Sequence, residues 1–274
     1  MRFKTKTLCD RLTQVISQWP GVECIALNEA ALPDTLDPYF ALILDIYFDG
    51  GIPQGDERAR LYGDDIAAFE SAGNNSAKKG ESDGECKDRF LVGNLPVRLE
   101  YKSVKMINEL TEIASSRIDS LYLIKNSGTY GFYRLMNGEI LFSRNAWINS
   151  IRKKLKSLSP EFWRQMIIAQ ESKMEHFLSD LGAACFQGDD FFYLISAGGF
   201  IKHACLSLFC INKRFEPSHR GYYKQTMKLN VLPDSFKGLF DNFLKSDPGI
   251  TMERRFSLAQ LIAKGIFALG TGDL

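Results

Sequence analysis

Asp45, Tyr47 and Asp49 alternate through the apolar run Leu44-Asp45-Ile46-Tyr47-Phe48-Asp49, which stops at Gly50-Gly51. In an extended chain successive side chains take opposite faces, so these three share one face while Leu44, Ile46 and Phe48 take the other. A second run, Val97-Arg98-Leu99-Glu100-Tyr101-Lys102, places Arg98, Glu100 and Lys102 on one face of another predicted strand. Carboxylates converging from adjacent strands can hold Mg²⁺, and nucleotidyl transfer needs that arrangement. The ion bridges a triphosphate, activates the attacking oxygen and neutralises developing charge. Arg98 and Lys102 would meet the phosphate oxygens. A plainer reading makes Asp45 and Asp49 the polar face of an antiparallel strand, with Asp49 favouring the turn at Gly50.

A second group of ionisable side chains lies in Lys213-Arg214-Phe215-Glu216-Pro217-Ser218-His219-Arg220, directly after a long apolar run. Pro217 breaks any helix there, so Lys213, Arg214, His219 and Arg220 crowd onto one helix-to-helix turn that suits an anion. Cations also gather at helix C-termini for local electrostatic reasons, which is the competing account of Lys213. His176 and His203 fall at helical spacing among apolar residues and read as bundle residues rather than ligands. Ser127-Gly128-Thr129-Tyr130-Gly131 lacks the lysine and spacing of a phosphate loop and reads as a turn.

The elements that must position these groups follow from periodicity. Leu8, Leu12, Val15, Ile16 and Trp19 recur at helical spacing up to Pro20-Gly21. Val22 to Leu27 and Phe40 to Phe48 are strand-like and should be neighbours. The pattern predicts a modest helix over Glu57 to Glu70, strands over Arg89 to Val92 and Val97 to Tyr101, and a helix over Val104 to Ala114. Between them the polar stretch 71–87 cannot bury enough apolar surface to offset the entropy of ordering, so a mobile loop is expected there. From Asn145 onward long helical periods take over, with later helices near Ser235 to Leu244 and Glu253 to Leu269.

Composition narrows the function classes. A chain of 274 residues with 45% hydrophobic residues has material for two domains, and a formal net charge of +1 supplies no global field toward nucleic acid or an anionic membrane. The six cysteines show no Cys-x-x-Cys pair, and with three histidines they offer no zinc-ligand spacing. Free thiols, no signal-peptide run at the N-terminus and a cytoplasmic location are the expectation. Phe191 to Ile211 is long and apolar enough to span a bilayer, but Gly198, Gly199, Lys202 and His203 in its middle favour a core helix of a bundle.

The order of opening helix, strand, carboxylate-bearing strand, later acidic strand and appended helices resembles the nucleotidyltransferase superfamily that includes the kanamycin and other aminoglycoside nucleotidyltransferases. The runs Asp37-Pro38-Tyr39-Phe40, Lys87-Asp88-Arg89-Phe90, Leu95 to Lys102 and Phe215 to Arg220 resemble an uncharacterised bacterial family grouped with those enzymes. The resemblance spans almost the whole chain. It implies an α+β fold: a mixed sheet with flanking helices over 1–126, followed by an all-α helical bundle over 127–274. It also implies a nucleoside triphosphate and Mg²⁺ bound by Asp45 and Glu100, with Asp49 as a third ligand. Arg98, Lys102, Lys213, Arg214, His219 and Arg220 would bind the nucleotide, and a nucleoside monophosphate would pass to a hydroxyl acceptor that the sequence does not name.

Two departures open an alternative. The superfamily's Gly-Ser or Gly-Gly turn is Asn28-Glu29-Ala30 in this chain, and its Asp-x-Asp is Asp45-Ile46-Tyr47. Both fit a catalytically inactive nucleotide-binding or regulatory module. A minor alternative rests on Arg214 and His219, whose Arg-x-x-x-x-His spacing resembles the all-helical higher-eukaryote and prokaryote nucleotide-binding ribonucleases, which cut RNA without metal.

Overall fold

The computed structural model describes residues 3–29, 42–73, 86–245 and 249–270. In chain order it runs α1 (Phe3–Ser17), β1 (Val22–Glu29), β2 (Leu42–Phe48), α2 (Gly55–Tyr62), β3 (Ile66–Gly73), β4 (Cys86–Val92), β5 (Leu95–Ser103) and α3 (Val104–Ser116). Then follow α4 (Tyr122–Ser127), α5 (Tyr130–Asn137), β6 (Glu139–Ser143), α6 (Trp147–Lys156), α7 (Pro160–Gln187), α8 (Asp190–Ile211), α9 (Tyr222–Thr226), α10 (Phe236–Leu244) and α11 (Met252–Gly270). The fold is α+β, as expected. The run Asp37-Pro38-Tyr39-Phe40 lies outside the described residues. So does most of the loop expected at 71–87, whose ends are strand: 71–73 in β3 and 86–87 in β4.

Two compact units share the chain, one built from Met1–Ser116 with Arg134–Ser157 and the other from Arg117–Tyr133 with Leu158–Leu274. This differs from the expected division at 126/127. Residues 134–157 return to the first unit because β6 pairs with β1 and α6 packs on α3.

The first unit is a six-stranded sheet of order β3-β4-β5-β2-β1-β6. Among the described residues only β2 and β5 pair in parallel; the other neighbours are antiparallel. On one face the alternate residues Leu42, Leu44, Ile46 and Phe48 of β2 join Val97, Leu99 and Tyr101 of β5, closed over by Leu8, Leu12 and Ile16 of α1. Within that core one buried ionic group is tightly tied. Arg58 of α2 donates from Nε and Nη2 to the two oxygens of Asp88, both at 2.7 Å, and from Nη1 to the Pro53 carbonyl at 2.7 Å. Tyr62 donates to Asp88 Oδ2 at 2.6 Å and also hydrogen-bonds the Tyr101 hydroxyl. Burial, then the neighbouring Tyr101 and Asp88, push the Tyr62 phenol well above its ordinary pKa, and burial, then Asp88, does the same to the Tyr101 phenol.

Two strands correct the sequence reading. The helix expected over Glu57 to Glu70 ends at Tyr62, and Gly63 at φ +121° turns the chain in a conformation that favours glycine. Residues 66–73 instead form β3, paired with β4 and bulged between Ala67 and Glu70, where Ala68 takes φ +51°. Alanines and the Ile66/Phe69 spacing imitate a helix, and cross-strand pairing overrides that local preference. β6 is a five-residue strand that follows a helix within two residues, and no strand is expected there from the sequence.

In the second unit α7 and α8 form a long antiparallel hairpin. Ser159 caps α7 by accepting from the Phe162 N–H, Gly188 ends it in the left-handed region, and Asp189 caps α8 through the Phe192 N–H. Gly199 is required by close packing, since a Cβ there would lie 2.4 Å from the Phe177 ring. His203 sits in this core as expected, stacked on Phe177 and 2.8 Å from Gln170 Oε1. Burial, helped by Lys173 and Lys202, lowers its pKa to about 4. α11 packs on both helices of the hairpin and on α10.

Candidate functional site

β2 and β5 run in parallel with Asp45 directly beside Glu100. The pairing turns both carboxylates to the sheet face opposite the α1 core, so the predicted convergence of these two residues occurs. Asp45 is wholly buried and Glu100 is 6% exposed. Arg98 and Lys102 flank Glu100 on the same strand face: Lys102 Nζ is 3.1 Å from Asp45 Oδ1 and 3.6 Å from Glu100 Oε2, and Arg98 Nε is 3.0 Å from Glu100 Oε1. The Arg98 contact is an ion pair only, because its N–H does not align for a hydrogen bond.

The residue that organises this group is Arg134, which the sequence reading missed. Its guanidinium bridges the two carboxylates, with Nη2 2.6 Å from Asp45 Oδ1 and Nη1 2.5 Å from Glu100 Oε2. Arg134 comes from the last turn of α5, which is held against β1 at Gly138. A Cβ at Gly138 would lie 2.9 Å from the Arg134 carbonyl oxygen, 3.1 Å from Asn28 Oδ1 and 3.2 Å from the Ala26 Cβ, so any side chain here would force the turn to shift. Arg152 of α6 fixes the same turn by donating to the carbonyls of Leu135 and Gly138. Nothing in the sequence ties an arginine 34 residues past Glu100 to it.

The remaining oxygen of Asp45 is also taken. Oδ2 accepts from Asn28 Nδ2 at 2.5 Å and from the Tyr47 hydroxyl at 3.2 Å. Asn28 and Tyr47 are the two departures noted in the superfamily resemblance, and both are spent on Asp45. Burial, then the charge of Asp45, raises the Tyr47 phenol well above its usual pKa, so it stays a neutral donor. Burial alone would raise the Glu100 carboxyl; Arg134, Lys102 and Arg98 outweigh it and hold its pKa below the ordinary value.

All four oxygens of the carboxylate pair therefore face cations or donors, and three cations surround two carboxylates. This set does not fit Mg²⁺, which needs open carboxylate oxygens and brings two more positive charges. Among the described residues no group of three or more His, Cys, Asp or Glu side chains could hold a metal ion.

Asp49 does not join the pair. It lies beyond the end of β2, exposed, with its N–H bonded to the Gly21 carbonyl at 2.8 Å. Four residues of strand separate it from Asp45 by roughly 13 Å. Its proposed role as a third ligand is thereby corrected: alternation gives it the right face, and distance along the strand removes it from the site.

No protein-family model matches the chain, and no curated protein matches it. A solved structure is similar. It is a nucleotidyltransferase-like protein from Exiguobacterium sibiricum 255-15, at 14% identity, covering 95% of this chain and 74% of that one, with a TM-score of 0.48.

The basic turn belongs to the second unit and is built around an acid. Glu216 is 7% exposed; its N–H donates to Thr129 Oγ1 at 2.9 Å and its Oε1 accepts from Tyr222 at 2.5 Å. Gly128, at φ +79°, leaves room for Glu216 Oε2, which explains the Ser127-Gly128-Thr129 turn. Phe215 packs against Phe132 and Trp163. Lys213 (φ +51°), Arg214, His219 and Arg220 are exposed around this anchor. His219 Nε2 is 3.4 Å from Glu216 Oε1, and Arg214 and His219 stand at the two ends of the irregular segment 214–218.

Proposed function

We propose that this chain is a nucleotidyltransferase-like module that works by binding and does not transfer nucleotides. In this reading Asp45 and Glu100 keep the positions of metal carboxylates, while Arg134 occupies the place between them where an ion would act. The observation that carries it is the bridging guanidinium. Mg²⁺ could enter only if Arg134 and Lys102 both left, exposing two buried carboxylates on the way. A cation excess remains in the cluster, so any nucleotide would be held through its phosphates by Arg98, the most exposed of its cations, without need of a metal.

Calorimetric titration with ATP, GTP, CTP and UTP, each with and without Mg²⁺, tests this. Magnesium is expected to leave any affinity unchanged or weaken it, because the ion neutralises the phosphates that the cations would attract. A strengthening of about tenfold or more with Mg²⁺, lost in both Asp45→Asn and Glu100→Gln, would overturn the reading.

That outcome would favour a second one, a metal-dependent transferase acting on a hydroxyl acceptor. Its support is the side-by-side placement of Asp45 and Glu100 on parallel neighbouring strands. Single-turnover transfer from a labelled nucleotide to a panel of hydroxyl compounds would separate the two.

A further inference from the structure

The first half of α8 is buried on one side and apolar on the other. Phe191 is 74% exposed, Leu194 68% and Ile195 54%, and Gly198 and Lys202 are exposed as well. Phe191, Ile195, Gly198 and Lys202 recur at steps of four, three and four, the spacing of a helix–helix seam. From His203 to Ile211 every residue is buried, so the seam is confined to residues 191–202, roughly 18 Å of helix. α8 is long and apolar enough to cross a membrane, but 61% of its most apolar window is buried within the chain, and the exposed remainder is this short stripe.

The stripe is complementary to itself when reversed. About a midpoint between residues 196 and 197, Ile195 of one helix falls opposite Gly198 of an antiparallel copy, and Phe191 falls opposite Lys202. A Cβ at Gly198 would meet nothing within 4 Å, so the glycine leaves open space where Ile195 of the copy would sit. At the ends, Asp190 of one copy comes beside Lys202 of the other, whose aliphatic stem would cover Phe191. Large residue against glycine and acid against base, both repeated by one two-fold axis, is what an isologous contact requires.

We propose that α8 pairs antiparallel with α8 of a second copy of this chain through this seam. Exposed apolar stripes of this kind mark interaction sites on otherwise polar surfaces. The seam is only about 18 Å long on each copy, so the contact is small and the dimer is a weak, reversible one.

Sedimentation velocity across about 1–100 µM tests the proposal. A concentration-dependent dimer is expected. Gly198→Leu fills that open space and should weaken dimerisation at least about tenfold while leaving the helical circular dichroism and the melting temperature in place. Asp190→Lys and Lys202→Glu should each weaken it, and the double exchange should restore it, because the pairing is recreated with the signs swapped. A monomer throughout the range, or a dimer indifferent to Gly198→Leu and to both charge variants, would overturn the pairing. So would monomeric chain binding phosphatidylcholine/phosphatidylglycerol vesicles in a manner abolished by Phe191→Ser, since the stripe would then be a lipid contact.

Discussion

The sheet carries a buried ionic group on each face, and the two are built on different principles. On the core face Arg58 and Asp88 match one to one: a bidentate guanidinium meets a carboxylate, with the Tyr62 hydroxyl and the Pro53 carbonyl taking further bonds. The opposite face sets Arg98, Lys102 and Arg134 against Asp45 and Glu100, each carboxylate shared by more than one cation. The first group is a closed pair whose charges cancel. The second is a redundant cluster with one positive charge in excess, placed where paired carboxylates would hold a metal. A pair has no spare partner, whereas a cluster does, so the two should respond differently when one member is removed.

The largest effect is expected at the closed pair. Arg58→Ala leaves Asp88 buried and uncompensated and should cost about 3–5 kcal/mol of stability, read as a drop in the urea midpoint. Arg134→Ala should cost less, about 1–3 kcal/mol, because Lys102 still serves both carboxylates and Arg98 still serves Glu100. If the two costs came out equal or reversed, the contrast between pair and cluster would fail.

Acid should act on the cluster next. Glu100 has a folded pKa below its unfolded value of about 4.3, so it contributes stability that is fully present above the unfolded pKa and is lost as the pH falls through the lowered folded one. Unfolding free energy should therefore fall as the pH is taken below about 4, and Glu100→Gln should flatten that part of the profile. A profile unchanged by the substitution would remove Glu100 from the electrostatic account. The smallest effect is expected at Asp49: Asp49→Asn should alter stability by no more than about 0.5 kcal/mol and leave nucleotide titrations as they were, since the side chain is exposed at the strand end.

Much of this arrangement could be read before the structure, where local pattern and tertiary demand agree. Alternation along Phe40 to Phe48 and Val97 to Tyr101 gave the faces of β2 and β5, helical spacing gave α1, α3, α6, α7, α10 and α11, and apolar length gave α8. It failed where tertiary pairing overrode propensity, at β3, where a strand is only five residues long, at β6, and where distance along a strand mattered as much as face, at Asp49. The cluster itself was half visible. Asp45, Glu100, Arg98 and Lys102 lie on two strands whose pairing can be guessed, whereas Arg134 reaches them from a separate helix by way of Gly138 and Arg152. Asn28 and Tyr47 were noticed only as departures from a family pattern; the structure supplies their physical use, as donors to Asp45. Those long-range contacts decide whether the carboxylates are open to a metal, and no local periodicity encodes them.

The most direct test is a titration of the folded protein with Mn²⁺, standing in for Mg²⁺, followed by the electron paramagnetic resonance signal of the free ion. With Asp45 and Glu100 committed to Arg134, Lys102 and Arg98, the free-ion signal should rise in proportion to added metal, as it does in buffer. One tightly bound Mn²⁺ per chain, abolished by either Asp45→Asn or Glu100→Gln, would contradict the account and return the carboxylate pair to metal chemistry.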